Sequence, residues 1–417
     1  MSRLVKLKKI TAKIGSGATP RGGQNAYQTQ GISLVRSQNV LDFRFSMNGL
    51  AFINEDQAES LNNVTVEDGD ILLNITGDSI ARVCIVPSEI LPARVNQHVA
   101  IIRCNDEVDN KYVFYYLQYM KSYLLKICGV GGTRNALTKE ALEKLDIVLQ
   151  DNQKARAAVL SSLDSKIELN NKINAELEAM AKTLYDYWFV QFDFPDSDGK
   201  PYKTSGGKMV WNDELKREIP DGWKVGTLLS LGEIIGGSTP AREIDEYFSE
   251  NGTAWITPKD LSLNVGNKFI GKGELDVSEK GIKAASLNIM PKGTVLLSSR
   301  APVGYLAISR EMVTTNQGFK SFVPNNGYPT EFIYYSIKNM IPTIENNAVG
   351  STFKEVSAST LKTIKICLAD KITIKNYADI AKNIFNKQDC LELENKTLSE
   401  LRDWLLPMLM NGQVRVQ

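Results

Sequence analysis

The chain has 417 residues, of which 43% are apolar and 23% are charged, as in an ordinary globular protein. This length allows two or three domains, and a formal net charge of +1 is low for a protein that binds nucleic acid without partners. The most apolar windows, such as residues 112–119, are too short to cross a bilayer, so we expect no membrane-spanning segment.

The cysteines and the histidine limit the possible chemistry. No CxxC pair occurs among the five cysteines, Cys84, Cys104, Cys128, Cys367 and Cys390. This scattered, odd-numbered set argues against a zinc site and favours the reducing cytoplasm over a disulfide framework. The single histidine, His98, excludes a histidine cluster, and we expect it to be buried and hydrogen-bonded in a structural role.

Residues 1–150 read as a block of mixed α and β structure. Short apolar runs at 70–75, 82–86 and 99–104 are separated by Gly, Asn and Asp turn signals, which predicts strands. A helix is predicted over 111–127, and another begins behind Thr138, a residue type that caps helices. The fold class is therefore predicted to be α+β.

The stretch from residue 151 to 192 begins with a long helical pattern that has no proline or glycine before Trp188. Its heptad-spaced positions are Leu160, Leu163, Ile167, Asn170, Asn174, Leu177, Ala181, Leu184 and Trp188. As a helix, residues 151–188 would extend about 57 Å at about 1.5 Å per residue, so the seam needs a partner to cover it. The alternative is an ordinary core helix within a larger domain.

A connector over residues 193–222 is rich in Pro, Gly, Lys and Asp, and we predict a short hairpin around Lys208–Trp211. Residues 223–368 form a second mixed block with strand-like runs at 294–298, 305–309 and 318–323 and a helix at 330–340. The final segment, 369–417, carries a second long helix. Its seam residues are Ile384, Leu391, Asn395, Leu398 and Leu405.

The second half of the chain repeats the first at an offset near 220 residues. The matched segments are Ile14–Pro20 with Ile234–Pro240, Asn96-Gln97 with Asn316-Gln317, and Gly131–Leu149 with Gly350–Leu368. In the helices, Leu163, Asn174, Leu177 and Leu184 match Ile384, Asn395, Leu398 and Leu405. The repeat unit is therefore a globular block followed by a long helix, present twice.

A search for catalytic motifs finds none. The sequence lacks a GxxxxGK[ST] phosphate loop, a dinucleotide fingerprint, clustered carboxylates with metal-site spacing and an Asn-Pro-Pro-aromatic tetrapeptide. We therefore expect a non-catalytic protein. An enzyme acting alone would have to show methylation or cleavage by the purified chain.

The loops of both blocks carry planar and basic side chains that suit DNA, because Arg and Lys pair with guanine or phosphate and Asn or Gln with adenine. The candidates are Arg21, Arg36, Gln38, Asn39, Arg82, Arg134, Asn135, Arg242, Lys259, Asp260, Arg300 and Lys354. A plain solvated role is at least as common for such residues. The repeated Asn-Gln pairs are expected to satisfy backbone groups, since residues that read different sequences should differ between the copies.

Three stretches carry a resemblance to a known family. They are Tyr185–Pro195 (YDYWFVQFDFP), Gly199–Trp211 (GKPYKTSGGKMVW) and Ile219–Trp223 (IPDGW). With the tandem order of block and helix, they make the chain resemble the specificity subunits of type I restriction-modification systems over essentially its whole length. The resemblance implies two target recognition domains, residues 1–150 and 223–368, each reading one half of a split DNA site. It also implies an antiparallel coiled coil of the two helices as the spacer.

The resemblance further implies two modification (methyltransferase) subunits bound along the helices and restriction/motor subunits for cleavage. S-adenosylmethionine, ATP and Mg would sit on those partners, with no cofactor on this chain. The complex would be a cytoplasmic, site-specific adenine DNA methyltransferase and type I deoxyribonuclease, away from any membrane. The alternative is a protein-binding scaffold with two partner-gripping domains and no DNA readout.

Overall fold

The computed structural model of the protein describes residues 2–128, 136–350 and 354–416. The chain divides into two compact units, one made of Met1–Leu169 with Asn395–Gln417 and the other of Asn170–Glu394. Each unit therefore combines one globular block with segments of both long helices. Within the described residues, no helix combines the length and hydropathy needed to cross a membrane.

The first unit holds two four-stranded sheets, with strand orders β2-β9-β6-β7 and β4-β3-β8-β5, and the pair β1-β10. Its strands are β1 Arg3–Lys6, β2 Thr11–Ser16, β3 Ile32–Val35, β4 Ala51–Ile53, β5 Thr65–Val66, β6 Ile71–Asn74, β7 Val83–Ile85, β8 Ala93–Val95, β9 Val99–Cys104 and β10 Asp146–Leu149. Its helices are α1 Glu55–Ser60, α2 Asn110–Tyr119, α3 Lys121–Cys128, α4 Lys139–Glu143 and the first part of α5 Gln153–Tyr185.

The second unit holds a five-stranded sheet, β14-β21-β18-β19-β16, a three-stranded sheet, β17-β15-β20, and the pairs β11-β12 and β13-β22. The strands are β11 Met209–Asn212, β12 Arg217–Pro220, β13 Lys224–Thr227, β14 Glu233–Gly236, β15 Phe248–Ile256, β16 Phe269–Ile270, β17 Leu275–Val277, β18 Val295–Ser299, β19 Val303–Ser309, β20 Val313–Thr315, β21 Lys320–Val323 and β22 Lys365–Leu368. The helices are α6 Pro258–Leu263, α7 Glu279–Ala284, α8 Thr330–Asn346, α9 Ala358–Thr363 and α10 Lys371–Met410, whose last part belongs to the first unit.

The sheets confirm the repeat that the sequence predicts. The order β2-β9-β6-β7 returns as β14-β21-β18-β19, and the parallel pair β3-β8 returns as β15-β20. The predicted hairpin is β11-β12, and the Thr138 side chain accepts from the amide of Ala141 as a cap. The predicted helix over 111–127 is instead two helices, α2 and α3, which meet at Met120.

The two long helices are antiparallel within each unit, as the resemblance implies. In the first unit, Arg156 donates to the carbonyl of Leu409 at 2.6 Å, and Asp164 pairs with Arg402 at 2.9 Å. In the second unit, Asn170 donates to Glu394 at 2.9 Å. The residue numbers of the contacting residues on α10 therefore decrease as those on α5 increase.

The predicted seam on α10 is only partly correct. Leu391 is fully buried as predicted, whereas Ile384, Asn395, Leu398 and Leu405 are half-buried. Fully buried positions outside the predicted seam include Tyr377, Ala381, Phe385 and Leu406. On α5 the predicted Leu163, Ile167, Leu177 and Leu184 are also half-buried. The cause is a second packing partner, because each helix also packs on its globular block. Phe385, for example, meets Phe269 edge-on at 6.3 Å.

Asn174 offers a test of the polar seam positions. Its side chain is buried, and its Oδ1 has no hydrogen-bond partner among the described residues. Because an unsatisfied buried amide is costly, we expect Asn174→Leu to raise the free energy of unfolding by about 1–2 kcal/mol. Thermal melting would measure this, with the exposed Asn376→Leu on α10 as the control. A lower melting temperature for Asn174→Leu would contradict the prediction.

Candidate nucleic-acid interface

Loops from both sheets of the first block meet at one edge. They follow β2, β3 and β6 and link β8 to β9. Main-chain hydrogen bonds join them: the amide of Asn96 donates to Val35 at 3.0 Å, that of Ile75 to His98 at 3.0 Å, and that of Leu137 to Ile75 at 2.9 Å. The strand ends thus gather residues far apart in sequence onto one surface.

The second block builds the same edge with the same bonds. The amide of Asn316 donates to Ile256 at 3.1 Å, that of Ser299 to Gly318 at 2.8 Å, and that of Val356 to Ser299 at 3.0 Å. Each bond has the position of its counterpart in the first block. The two edges can therefore be matched residue by residue.

Two residue types that recur in both blocks hold the edge together. The side-chain oxygen of Asn96 accepts from the amide of His98 at 3.0 Å, and that of Asn316 from the amide of Gly318 at 2.9 Å. A Cβ on Gly17 would lie 1.6 Å from the Val95 carbonyl oxygen, so the backbones approach too closely for any side chain. The prediction that the repeated asparagines satisfy backbone groups is confirmed.

The glutamines that follow them behave differently from that prediction. Gln97 and Gln317 are both exposed at the edge, and neither side chain bonds the main chain in the described structure. The Gln97 amide lies 2.9 Å from His98, and Gln317 accepts from the hydroxyl of Thr239. Neither glutamine is among the predicted DNA contacts, because residues that read different sequences are expected to differ between the copies. His98 is hydrogen-bonded, also to Thr76 at 2.5 Å, but only half-buried, so the expectation that it is buried is wrong.

A capping turn follows the parallel strand in each block. The pairings Ser33 with Ala93 and Ala254 with Val313 align Asn39 with Asp260. In each turn this side chain accepts from the amide three residues earlier, at 3.0 Å for Asn39 and 2.8 Å for Asp260. Thr257 also accepts from the amide of Asp260, which completes a capping box in the second block, whereas the Arg36 side chain cannot accept. Both side chains are buried, Asn39 completely, and Asp260 also accepts from the amide of Glu274. This corrects the prediction that Asn39 and Asp260 contact DNA, because their polar atoms are already bound to the main chain.

Other candidates of the first block do lie near this edge. Arg21 and Gln38 are exposed, whereas Arg36 and Arg82 are half-buried. The Arg36 guanidinium lies 5.1 Å from the ring centre of Tyr27 and also donates to the carbonyl of Gly49. Arg134 and Asn135 fall outside the described residues.

Three candidates of the second block contact neighbouring side chains. The Arg242 guanidinium lies 5.5 Å from the ring centre of the buried Trp255. Lys259 pairs with Glu274 at 2.6 Å, and Arg300 with Glu355 at 3.7 Å. Lys354 is exposed. The edge thus presents donors for phosphate or base contacts in both blocks.

The described residues contain no group of three or more His, Cys, Asp or Glu side chains arranged to hold a metal ion. A model of the type I restriction modification DNA specificity domain matches the chain twice, over residues 5–179 and 220–402. The chain belongs to this family. Each match includes one globular block and most of the long helix that follows it, so we call the blocks specificity domains.

Two proteins similar to this chain are type I restriction enzyme specificity subunits, which agrees with the match to the family. The MjaIX specificity subunit of Methanocaldococcus jannaschii is 40% identical over 212 residues, covering 48% of this chain and 48% of that protein. The chain thus spans about half the length of that relative. The HindI specificity subunit of Haemophilus influenzae is 27% identical over 335 residues, which is 68% of this chain and 72% of that protein.

A solved structure shares the fold. The crystal structure of a type I restriction-modification S subunit from M. genitalium aligns with a TM-score of 0.58 at 15% identity. The alignment covers 100% of this chain and 97% of the other. At this identity the likeness establishes the fold alone.

Each specificity domain is fixed to its helix segments by buried charge. In the first unit, Asp164 of α5 pairs with Arg402 of α10 and accepts a hydrogen bond from Tyr115 of the domain at 2.6 Å. The Arg402 guanidinium also lies 3.5 Å from the ring centre of Phe43. One charged pair thus joins both helices and the domain.

In the second unit, the same task falls to Lys268. Its ammonium lies 2.7 Å from Glu178 of α5, 2.6 Å from Gln388 of α10 and 3.7 Å from the ring centre of Phe385. Burial lowers the pKa of Lys268 to about 8, although Glu178 opposes the shift. The bonds to Glu178 and Gln388 favour the charged form at neutral pH.

The pKa values of two carboxylates around Lys268, those of Glu178 and Glu392, shift in opposite directions. Burial disfavours the ionised form of Glu178, but Lys268 and Lys338 outweigh it and lower its pKa to about 2. Burial raises the pKa of Glu392 to about 6, partly offset by hydrogen bonds from the amides of Lys268 and Phe269. The second domain is therefore anchored by an ionised Glu178 that faces two lysines.

Proposed function

We propose that this chain is the sequence-specific DNA-binding subunit of a type I restriction-modification complex. Each specificity domain reads one half of a bipartite target. The observation that carries the proposal is the repeated edge: its framework of backbone bonds is the same in both domains, while exposed polar side chains such as Gln38 and its counterpart Lys259 differ. A shared backbone framework with different exposed side chains is what we expect of two domains that have the same fold and recognise different DNA sequences.

The remaining parts of the complex follow from the same proposal. Partner methyltransferase and restriction subunits supply S-adenosylmethionine, ATP and Mg chemistry, and this chain contributes only position and readout. Two modification subunits bind per chain, one for each copy of the repeat. We place the complex in the cytoplasm, with double-stranded DNA as its target.

Selection from a randomised double-stranded DNA library tests the proposal directly. The chain and its modification subunit would be incubated with the library, and bound DNA would be sequenced. We expect enrichment of two short motifs at a fixed spacing. Absence of any enriched motif would contradict the proposal and favour a scaffold that binds only proteins.

Matched exposed apolar residues on the helices suggest where the two modification subunits bind. Met180 of α5 and Leu401 of α10 hold equivalent positions in the repeat and are 59% and 40% exposed. Exposed apolar side chains on a helix fit a protein partner, and their recurrence fits two copies of the same partner.

We therefore expect Met180→Glu and Leu401→Glu each to reduce the bound modification subunits from two to one, because a charge would be buried at one interface. Native mass spectrometry would count the subunits. Met180→Leu and Leu401→Met, which retain an apolar surface, serve as controls and should bind two. Two subunits on both Glu variants would place the interface elsewhere.

A further inference from the structure

One exposed position at the edge carries, in both domains, a side chain of a type that can pair with a base. The register that aligns Asn39 with Asp260 also aligns Gln38 with Lys259. Both are exposed, and both directly precede the buried residue whose side chain accepts from the amide three residues earlier. Arg36 and Thr257, which carry these amides, have nearly the same backbone angles, so the two side chains start from equivalent points.

Arg21, Arg242 and Arg36 do not share this property. At the offset of 220 that matches Pro20 with Pro240, Arg21 corresponds to Ala241, and Arg242 corresponds to Gly22. Arg36 corresponds to Thr257 and is half-buried against the ring of Tyr27. At each of these positions, only one of the two domains therefore has a side chain suited to contact a base. Gln38 and Lys259 occupy one matched position and are both suited to it.

Both side chains can leave their present contacts at little cost. Gln38 donates to the carbonyl of Gly49 at 3.0 Å in an exposed bond. Lys259 pairs with Glu274 at 2.6 Å, and both of these side chains are 65% exposed. Solvent-exposed pairs of this kind are weak, so DNA can replace them.

We propose that Gln38 and Lys259 read the same relative base position of the first and the second half-site. This inference rests on the proposed function. A Gln amide offers one donor and one acceptor, which matches N7 and the amino group of adenine. A Lys ammonium offers donors alone, which matches O6 and N7 of guanine. The first half-site therefore has adenine at this position and the second has guanine.

Exchange of the two residues tests the inference. Gln38→Lys and Lys259→Gln would each be assembled with the modification subunit and used to select DNA from the randomised library. We expect Gln38→Lys to change one base of the first half-site from adenine to guanine, with a preference of roughly 5- to 150-fold. Lys259→Gln should make the reverse change in the second half-site. The other bases and the spacing should stay the same in both selections.

Two controls separate readout from charge. Asn48→Lys adds a positive charge to an exposed position of the loop that contacts Gln38, and Lys283→Gln removes one from an exposed position on α7. Neither control variant should change a base of the selected motif. An unchanged motif for both exchange variants would overturn the inference. If Lys259→Gln then binds every sequence more weakly and Gln38→Lys binds every sequence more tightly, the two positions contact phosphate instead. No bipartite motif for the unaltered chain would overturn the proposed function itself, so the two failures are distinguishable.

Discussion

Seven residues inserted after Leu169 and seven more after Glu394 are expected to widen the spacing between the half-sites by up to about three base pairs. Asn170 and Glu394 face each other across the helix pair at 2.9 Å, so the two insertions lie opposite one another. A whole heptad keeps the seam in phase. It lengthens each helix by roughly 10 Å at about 1.5 Å per residue. The duplex rises by about 3.4 Å per base pair.

The recognised bases should be unchanged, because the insertion leaves both specificity domains intact. Selection from randomised DNA with the modification subunit present would give the new spacing. Insertion of seven residues into α5 alone is the control, since it leaves the added heptad without a partner and should impair binding. An unaltered spacing with full activity for the paired insertion would show that the helices do not set the distance.

Glu178→Gln is expected to lower the free energy of unfolding of the second unit by about 3 kcal/mol at pH 7. The change leaves Lys268, whose side chain is only 3% exposed, without the carboxylate that balances its charge. Removing one partner of a buried pair typically costs about 3–5 kcal/mol. The displacement of the Glu178 pKa from 4.5 to about 2 corresponds to a similar value, at about 1.4 kcal/mol per pKa unit.

The pH dependence of the free energy of unfolding provides a second measurement of the stabilisation by Glu178. Because the pKa of Glu178 is lower in the folded chain, the unfolded chain binds more protons between pH 4.5 and pH 2. The stabilisation is therefore complete above pH 4.5 and disappears as the pH falls towards 2. The difference between the unaltered chain and Glu178→Gln should shrink over this range.

Denaturant unfolding followed by tryptophan fluorescence suits this measurement, because Trp188, Trp223 and Trp255 are all buried in the second unit. Glu246→Gln is the matched control, since it breaks a surface pair with Lys280 and should change stability little. Equal stability of Glu178→Gln and the unaltered chain at pH 7 would show that the pair does not anchor the domain.

The repeat could be predicted because the same motifs recur along the chain, and the strands β6, β7, β9, β18, β19 and β21 could be predicted because apolar runs leave local signals. The strand Val99–Cys104 has the predicted bounds, since an apolar run lies between turn residues. The exact burial of α10 could not be predicted from heptads, which describe one partner helix. Phe385 is buried because it also packs on the specificity domain, and no periodicity along one helix encodes that contact.

The sequence predicted which types of residue lie in the loops of the candidate interface, but not which of these residues have free polar atoms. The structural role of Asp260 could be predicted, because Thr257 three residues earlier gives the spacing of a capping box. The role of Asn39 could not, because Arg36 is not a capping residue. The alignment of Gln38 with Lys259 needed the strand register, because the offset between the copies varies along the chain. Which residues converge on one edge is a property of sheet topology, not of local sequence.

The first unit draws on both ends of the described chain, and this has a consequence for its biosynthesis. Leu406, Leu409 and Met410 of α10 belong to the same apolar core as Tyr112 and Leu160. A ribosome adding about 5–20 residues per second makes them roughly tens of seconds after the rest of that core. The second unit is one continuous stretch and can complete its packing earlier. The domain translated first is therefore the last to be finished, and until then its exposed core is open to chaperones.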